Sequence, residues 1–262
     1  PISVYFAVFS VRARTASRDY LQRIFNRPIS FADVVRHYFS FSATIHDRIY
    51  LLSGRYSHFD VRVHGDRALD SELARGRGCI LLGSHLGSFE VLRARGSFED
   101  RAPINVLMYE ENGNKINGVL RALNPDLLRR VIPLGTSMAL LRAKECLERG
   151  EMVGILGDRE IPGGRSCRCD FLGSPASFQE GPLLLASILD VPVFLFFGLY
   201  RGGRRYDIHI EPFATEITLR RTHRSEDIAP WLARYTGRLE HYCRLAPYNW
   251  FNFYNFWQRD EH

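Results

Sequence analysis

Apolar positions recur on a helical period through residues 16–25 and 31–53, and Ser30 stands just before Phe31, where a helix N-cap belongs. Residues 59–64 alternate apolar and polar, which predicts a strand covered on one face, and residues 67–75 read as a short helix. Cys79-Ile80-Leu81-Leu82 is a compact apolar run after Gly78, as expected of a strand buried on both faces. It leads through Gly83-Ser84-His85 into a helix that includes residues 89–92. Further strands are predicted near 104–109, 152–156 and 191–199, separated by helices at about 113–123, 136–149 and 180–189, the last ending at Asp190-Val191-Pro192. Residues 206–211 alternate as another strand, and 226–245 read as a closing helix. Strand alternating with helix implies an α/β fold with a mixed, largely parallel central sheet flanked by helices.

The first run, Ile2-Ser3-Val4-Tyr5-Phe6-Ala7-Val8-Phe9, is only eight residues long. That is far short of the ~20 apolar residues that cross a bilayer, and it lacks the layout of a signal peptide. Arg12, Arg14 and Arg18 follow it. An apolar stub with a basic flank is how the cytoplasmic end of a removed membrane helix reads, and an ordinary amphipathic first helix fits equally well. Neither repeats nor a linker-like composition interrupt the chain. Residues 1–55 are therefore expected to form an N-terminal helical segment, and 56–262 the α/β domain.

Composition narrows the function classes. The 262 residues are 45% hydrophobic and 24% charged, which excludes a disordered or fibrous chain. Five cysteines in this length do not make a disulfide framework and fit a reducing compartment. The formal charge is +6, and only Lys115 and Lys144 among the 35 cations are lysines. Such an arginine surplus fits an anionic lipid or phosphate partner, or a simple compositional preference. A nucleic-acid module is disfavoured, because the arginines are scattered among acids and no recognition motif is present.

Candidate chemistry collects after the 79–82 strand, since α/β sheets place their sites beyond strand carboxyl ends. His85 follows the small Gly83-Ser84 pair, and Glu90 lies five residues on, within reach of one imidazole nitrogen. A carboxylate there would fix the tautomer and leave the other nitrogen free to take a proton. Ser84, Gly87 and Ser88 keep the turn open for a bulky substrate. Ser84 is no nucleophile elbow, since positions 82 and 86 are both Leu where glycine would be required. A Walker-type phosphate loop is missing, and Cys167-x-Cys169 has no second ligand pair, so neither metal nor cofactor is expected.

The segment Gly83-Ser84-His85-Leu86-Gly87-Ser88-Phe89-Glu90 resembles the His-x4-Asp/Glu motif of the lysophospholipid acyltransferase superfamily, and within it the bacterial lipid A lauroyl/myristoyl transferases. Gly157-Asp158-Arg159-Glu160 resembles the Gly-Asp-Arg segment of that branch. Residues 171–182, ending at Gly181-Pro182, resemble its substrate loop and the following helix, and Val191-Pro192-Val193 matches a superfamily block. The likeness covers roughly 60–257. One departure is the segment 250–257 (Trp-Phe-Asn-Phe-Tyr-Asn-Phe-Trp), where the lipid A enzymes carry a Trp-x-His-Arg-Arg-Phe-like segment; it favours a divergent branch such as the aryl-polyene and xanthomonadin-associated acyltransferases.

The resemblance implies acyl transfer from acyl carrier protein, or less favourably acyl-CoA, to a hydroxyl of a lipid or glycolipid at the inner leaflet, with the N-terminal helices on the membrane side. By the same token His85 and Glu90 would form the catalytic pair, while Arg159, Asp158, Ser84, Gly87, Ser88 and Gly181 would contact substrate. Arg159 would pair with an anionic group and Asp158 would hold it. Two alternatives stand beside this reading: a thioesterase or lipid hydrolase using the same His85, and a non-catalytic basic binding module.

Overall fold

Side chains alternate between two buried faces through the centre of the sheet. Ile80, Leu82, Val153, Ile155, Leu195 and Phe197 enter one apolar cluster, whereas Cys79, Leu81, Met152, Phe194 and Phe196 enter another. Period-two alternation with both faces covered is what continuous apolar runs become in a parallel sheet. The computed structural model describes residues 2–92, 102–109, 124–136, 138–160, 163–220 and 222–257.

Nine strands are described: β1 (Asp60–His64), β2 (Cys79–Gly83), β3 (Ile104–Tyr109), β4 (Val131–Leu134), β5 (Met152–Leu156), β6 (Ser166–Phe171), β7 (Ser174–Gln179), β8 (Val193–Tyr200) and β9 (Arg205–Ala214). Seven form one sheet in the order β1-β9-β8-β2-β5-β3-β4, and β6 and β7 form a separate hairpin. Only the β8–β9 pair in the large sheet is antiparallel, which agrees with the mixed, largely parallel α/β class read from the sequence.

The accompanying helices are α1 (Ile2–Phe9), α2 (Val11–Phe25), α3 (Phe31–Leu52), α4 (Asp66–Leu73), α5 (Pro125–Arg129), α6 (Ala139–Glu148), α7 (Gly181–Leu189) and α8 (Arg224–Leu245). Ser30 caps α3 in a reciprocal box: its hydroxyl accepts from Asp33 N at 3.2 Å, and Asp33 Oδ2 accepts from Ser30 N at 3.0 Å. Tyr20 and Leu21 of α2, Val34 of α3 and Tyr235 and Leu239 of α8 all join the first apolar cluster, so the N-terminal helices share the core of the sheet. No described helix is long and apolar enough to cross a membrane. α1 instead leaves Val4, Tyr5, Phe6, Val8 and Phe9 largely exposed.

Two features depart from the sequence reading. Residues 171–179, expected to belong to a substrate loop, close a β-hairpin: Leu172 (φ +51°) and Gly173 (φ +79°) supply the two positive-φ positions that a tight primed turn demands. β4, unanticipated, carries Pro133 and lies at the sheet edge, the place where a missing amide donor is tolerated. The helix expected at 113–123 lies outside the described residues.

Candidate active site

β2 and β5 run parallel as neighbours, with Gly83 opposite Leu156 at the end of their ladder. Gly83 O closes it by accepting from Gly157 N at 3.0 Å and from the buried Tyr235 hydroxyl of α8 at 2.8 Å. Two residues further on, the chains deliver His85 and Asp158 side by side.

Asp158 is fully buried, and donors converge on it from three directions. His85 N–H donates to both carboxylate oxygens at 3.0 Å, and His85 Nδ1 to Oδ1 at 2.8 Å. Trp250 Nε1 and Asn252 Nδ2 each donate to Oδ2 at 2.9 Å. Burial alone would raise the acid's pKa; the charge and hydrogen bond of His85, with the Arg159 charge, outweigh it and hold the pKa at about 2. An ionised, immobile carboxylate therefore fixes the Nδ1–H tautomer of His85. That side chain keeps 29% of its surface accessible, so Nε2 is the nitrogen offered to a reactant.

This arrangement corrects the expected pairing. Asp158, not Glu90, bonds Nδ1. Residues 90–92 are helical, and Glu90 is ion-paired with Arg48 of α3. The helix carries the Glu90 carboxylate toward α3, whereas the in-register strand ends put Asp158 against the imidazole.

The C-terminal segment completes the shell. Phe251 N donates to His85 O and Gly87 N to Asn249 O, both at 2.8 Å. Asn252 Oδ1 accepts from Arg159 Nε at 2.7 Å, and Phe251 O from Arg159 Nη2 at 3.0 Å. Arg159 thus grips the strap that covers Asp158, rather than being held by Asp158. Trp250 is fully buried against Tyr20, Phe171 and Phe256.

His37 of α3 braces the same strap. Its Nε2 donates to Trp250 O at 2.8 Å, and its Nδ1 accepts from the Ser17 hydroxyl at 2.9 Å. Burial depresses its pKa to about 4, so it stays neutral. Trp250, Asn252 and His37 were not legible as site residues, because their partners lie up to 213 positions away.

Other expected contacts resolve differently. Gly87 (φ +74°) packs so tightly on β8 that a Cβ would lie 1.9 Å from Gly198 O, so glycine is required there by packing and by backbone conformation. Ser84 and Ser88 are buried, and their hydroxyls have no hydrogen-bond partner among the described residues. Gly181 is exposed at the start of α7, next to Glu180 and Gln179, whose amide donates to Leu156 O at 2.8 Å.

A histidine fixed at a strand end and backed by a buried anion has the geometry that general-base chemistry requires. No curated protein matches the chain. A family model for bacterial lipid A biosynthesis acyltransferases matches residues 33–259, which include His37, His85, Asp158, Arg159, Trp250 and Asn252. The chain belongs to the bacterial lipid A biosynthesis acyltransferase family, and its activity is accordingly acyl transfer to a lipid acceptor.

Proposed function

We propose that this enzyme moves an acyl chain from an acyl thioester, acyl carrier protein in preference to acyl-CoA, directly to a hydroxyl of a lipid or glycolipid. His85 Nε2 takes the hydroxyl proton as that oxygen attacks the thioester carbonyl. Collapse of the tetrahedral intermediate breaks the C–S bond, and the imidazolium returns its proton to the departing thiolate. Asp158 keeps Nδ1–H in place and stabilises the imidazolium. General-base assistance of this kind is worth ~10²–10⁴-fold. The observation that carries the reading is the buried carboxylate clamped to His85 Nδ1 at 2.8 Å.

Around this pair, Arg159 is assigned two tasks: bracing the 251–252 strap and presenting its remaining N–H groups to an anionic substrate group. The unpartnered Ser84 and Ser88 hydroxyls are suited to hydrogen-bond the reacting groups. Glu90 and Arg48 tie the helix after His85 to α3. Working at the inner leaflet fits the exposed apolar side chains of α1.

The test is incubation of the full chain with acyl carrier protein or CoA thioesters and lipid acceptors, with products read by mass spectrometry. An acylated lipid formed by wild type and lost in His85→Ala supports the reading. Release of free fatty acid with no acylated acceptor would assign a hydrolase instead.

A further inference from the structure

At the far edge of the sheet, β1 pairs with β9 so that His64 lies opposite His209 and Arg62 opposite Asp207. Alternate residues of a strand share a face. Asp207 and His209 therefore project together, with His64 beside them, while Tyr206, Ile208 and Ile210 turn into the core. The potential ligand atoms of His64, Asp207 and His209 all lie within 4.8 Å of one another.

We propose that these three side chains bind one divalent transition-metal ion of the zinc class, with a fourth position open to solvent. Two imidazole nitrogens and one carboxylate oxygen suit such an ion, whereas calcium and magnesium demand oxygen ligands. Three atoms no more than 4.8 Å apart share a point within roughly 2.8 Å of each, against the ~2.1 Å of a zinc–nitrogen bond. Closing on an ion thus asks each side chain to shift by less than about 1 Å, the two imidazoles rotating out of the stack they form at a 4.6 Å centroid separation.

Of the surrounding arginines, Arg201 touches a proposed ligand and the other two are directed elsewhere. Arg201 Nε takes Asp207 Oδ2 at 2.9 Å, leaving Oδ1 facing His64 Nε2 at 3.9 Å. Such an outer hydrogen bond orients a ligating carboxylate. Arg205 turns back on the carbonyls of Arg201 and Gly202, and Arg62 reaches toward Asp60. The ion would staple the edge strand β1 to β9. It is independent of the acyl-transfer chemistry.

The experiment is calorimetric titration of the full chain with Zn²⁺, paired with the visible spectrum of the Co²⁺ form. One ion per chain, a raised Tm and d–d bands without intense thiolate charge transfer are expected. His64→Ala and His209→Ala should each weaken binding by at least about tenfold while acyl transfer persists, and Cys167→Ser, which alters a half-buried free thiol, should bind as wild type. Unchanged stoichiometry in the His64→Ala/His209→Ala double variant, or binding lost only with Cys167→Ser, overturns the proposal.

Discussion

His85 and Asp158 hold equivalent places on adjacent parallel strands, two residues past the last ladder pair, and meet through both the backbone N–H and Nδ1 of the histidine. The contact is therefore set by sheet register rather than by a flexible side chain. Asp158→Asn should lower kcat by ~10²–10⁴-fold, because the amide no longer stabilises the imidazolium or enforces its tautomer. Glu90→Gln, which leaves that contact intact, should cost less than about tenfold. Steady-state assays across pH, with circular dichroism as a control for folding, measure both. If Glu90→Gln proved the more damaging, the assignment of Asp158 as the orienting carboxylate would fail.

Gly87 and Gly198 bring the turn that carries His85 against β8, where Ser88 N donates to Gly198 O at 2.8 Å. In Gly87→Ala the new methyl meets the Gly198 carbonyl, and a positive φ is imposed on a residue that resists it. A loss of roughly 2–4 kcal/mol is expected from strain and overpacking together. Denaturant unfolding should show the loss as a lower midpoint at constant slope. An unshifted midpoint would mean that the turn relaxes without cost.

His37 gives the enzyme a specific weakness to mild acid. Its pKa is about 4 in the folded chain, against an ordinary 6.5, because it is buried between Ser17 and the Trp250 carbonyl. Between those values the unfolded chain binds the proton and the folded chain does not, so stability falls as pH drops through 6.5 and levels off below 4. The full loss is roughly 3 kcal/mol. Asp158, whose pKa falls from 3.8 to about 2, adds a separate loss only at lower pH. Unfolding free energy measured from pH 7 to 4 should slope in wild type and slope less in His37→Gln, the remainder including His209, whose pKa burial also lowers; the same slope in both would exclude His37 as a cause.

Local rules were sufficient for what is local. The apolar runs of β2 and β8, the Ser30 cap and the α2–α3 helices follow from periodicity, because their burial is decided within a few residues. His85 was visible through its place at a strand end. Asp158 stood out only by resemblance, as the holder of Arg159; its pairing with His85 did not, because the eye joins His85 to Glu90 five residues away, whereas the ladder joins it to a residue 73 positions away. Trp250 and Asn252 were hidden for the same reason: only the fold returns the C-terminal segment to the turn that carries His85. The β6–β7 hairpin escaped notice because Leu172 occupies a positive-φ position usually signalled by Asn or Gly.

The last prediction concerns α1, where Phe6 is 49% and Phe9 68% exposed beside Tyr5. Aromatic rings held at a surface in this number are suited to the lipid interface. Of the arginines that follow, Arg14 is committed to capping α1, donating to Ala7 O at 3.1 Å and Val8 O at 2.7 Å, whereas Arg12 and Arg18 are exposed, Arg18 making only a long 3.5 Å contact to Ile29 O, and can meet anionic headgroups. Burying each ring in lipid contributes about 1 kcal/mol or more. Phe6→Ser/Phe9→Ser should therefore weaken binding to phosphatidylglycerol-containing vesicles by at least roughly tenfold, measured by flotation, and Arg12→Gln/Arg18→Gln should weaken it most at low salt. Turnover of a short-chain, water-soluble acceptor should be unaffected by either double variant, since His85 and Asp158 are untouched. Wild-type partitioning of both variants onto vesicles would show that α1 is not the surface that meets the bilayer.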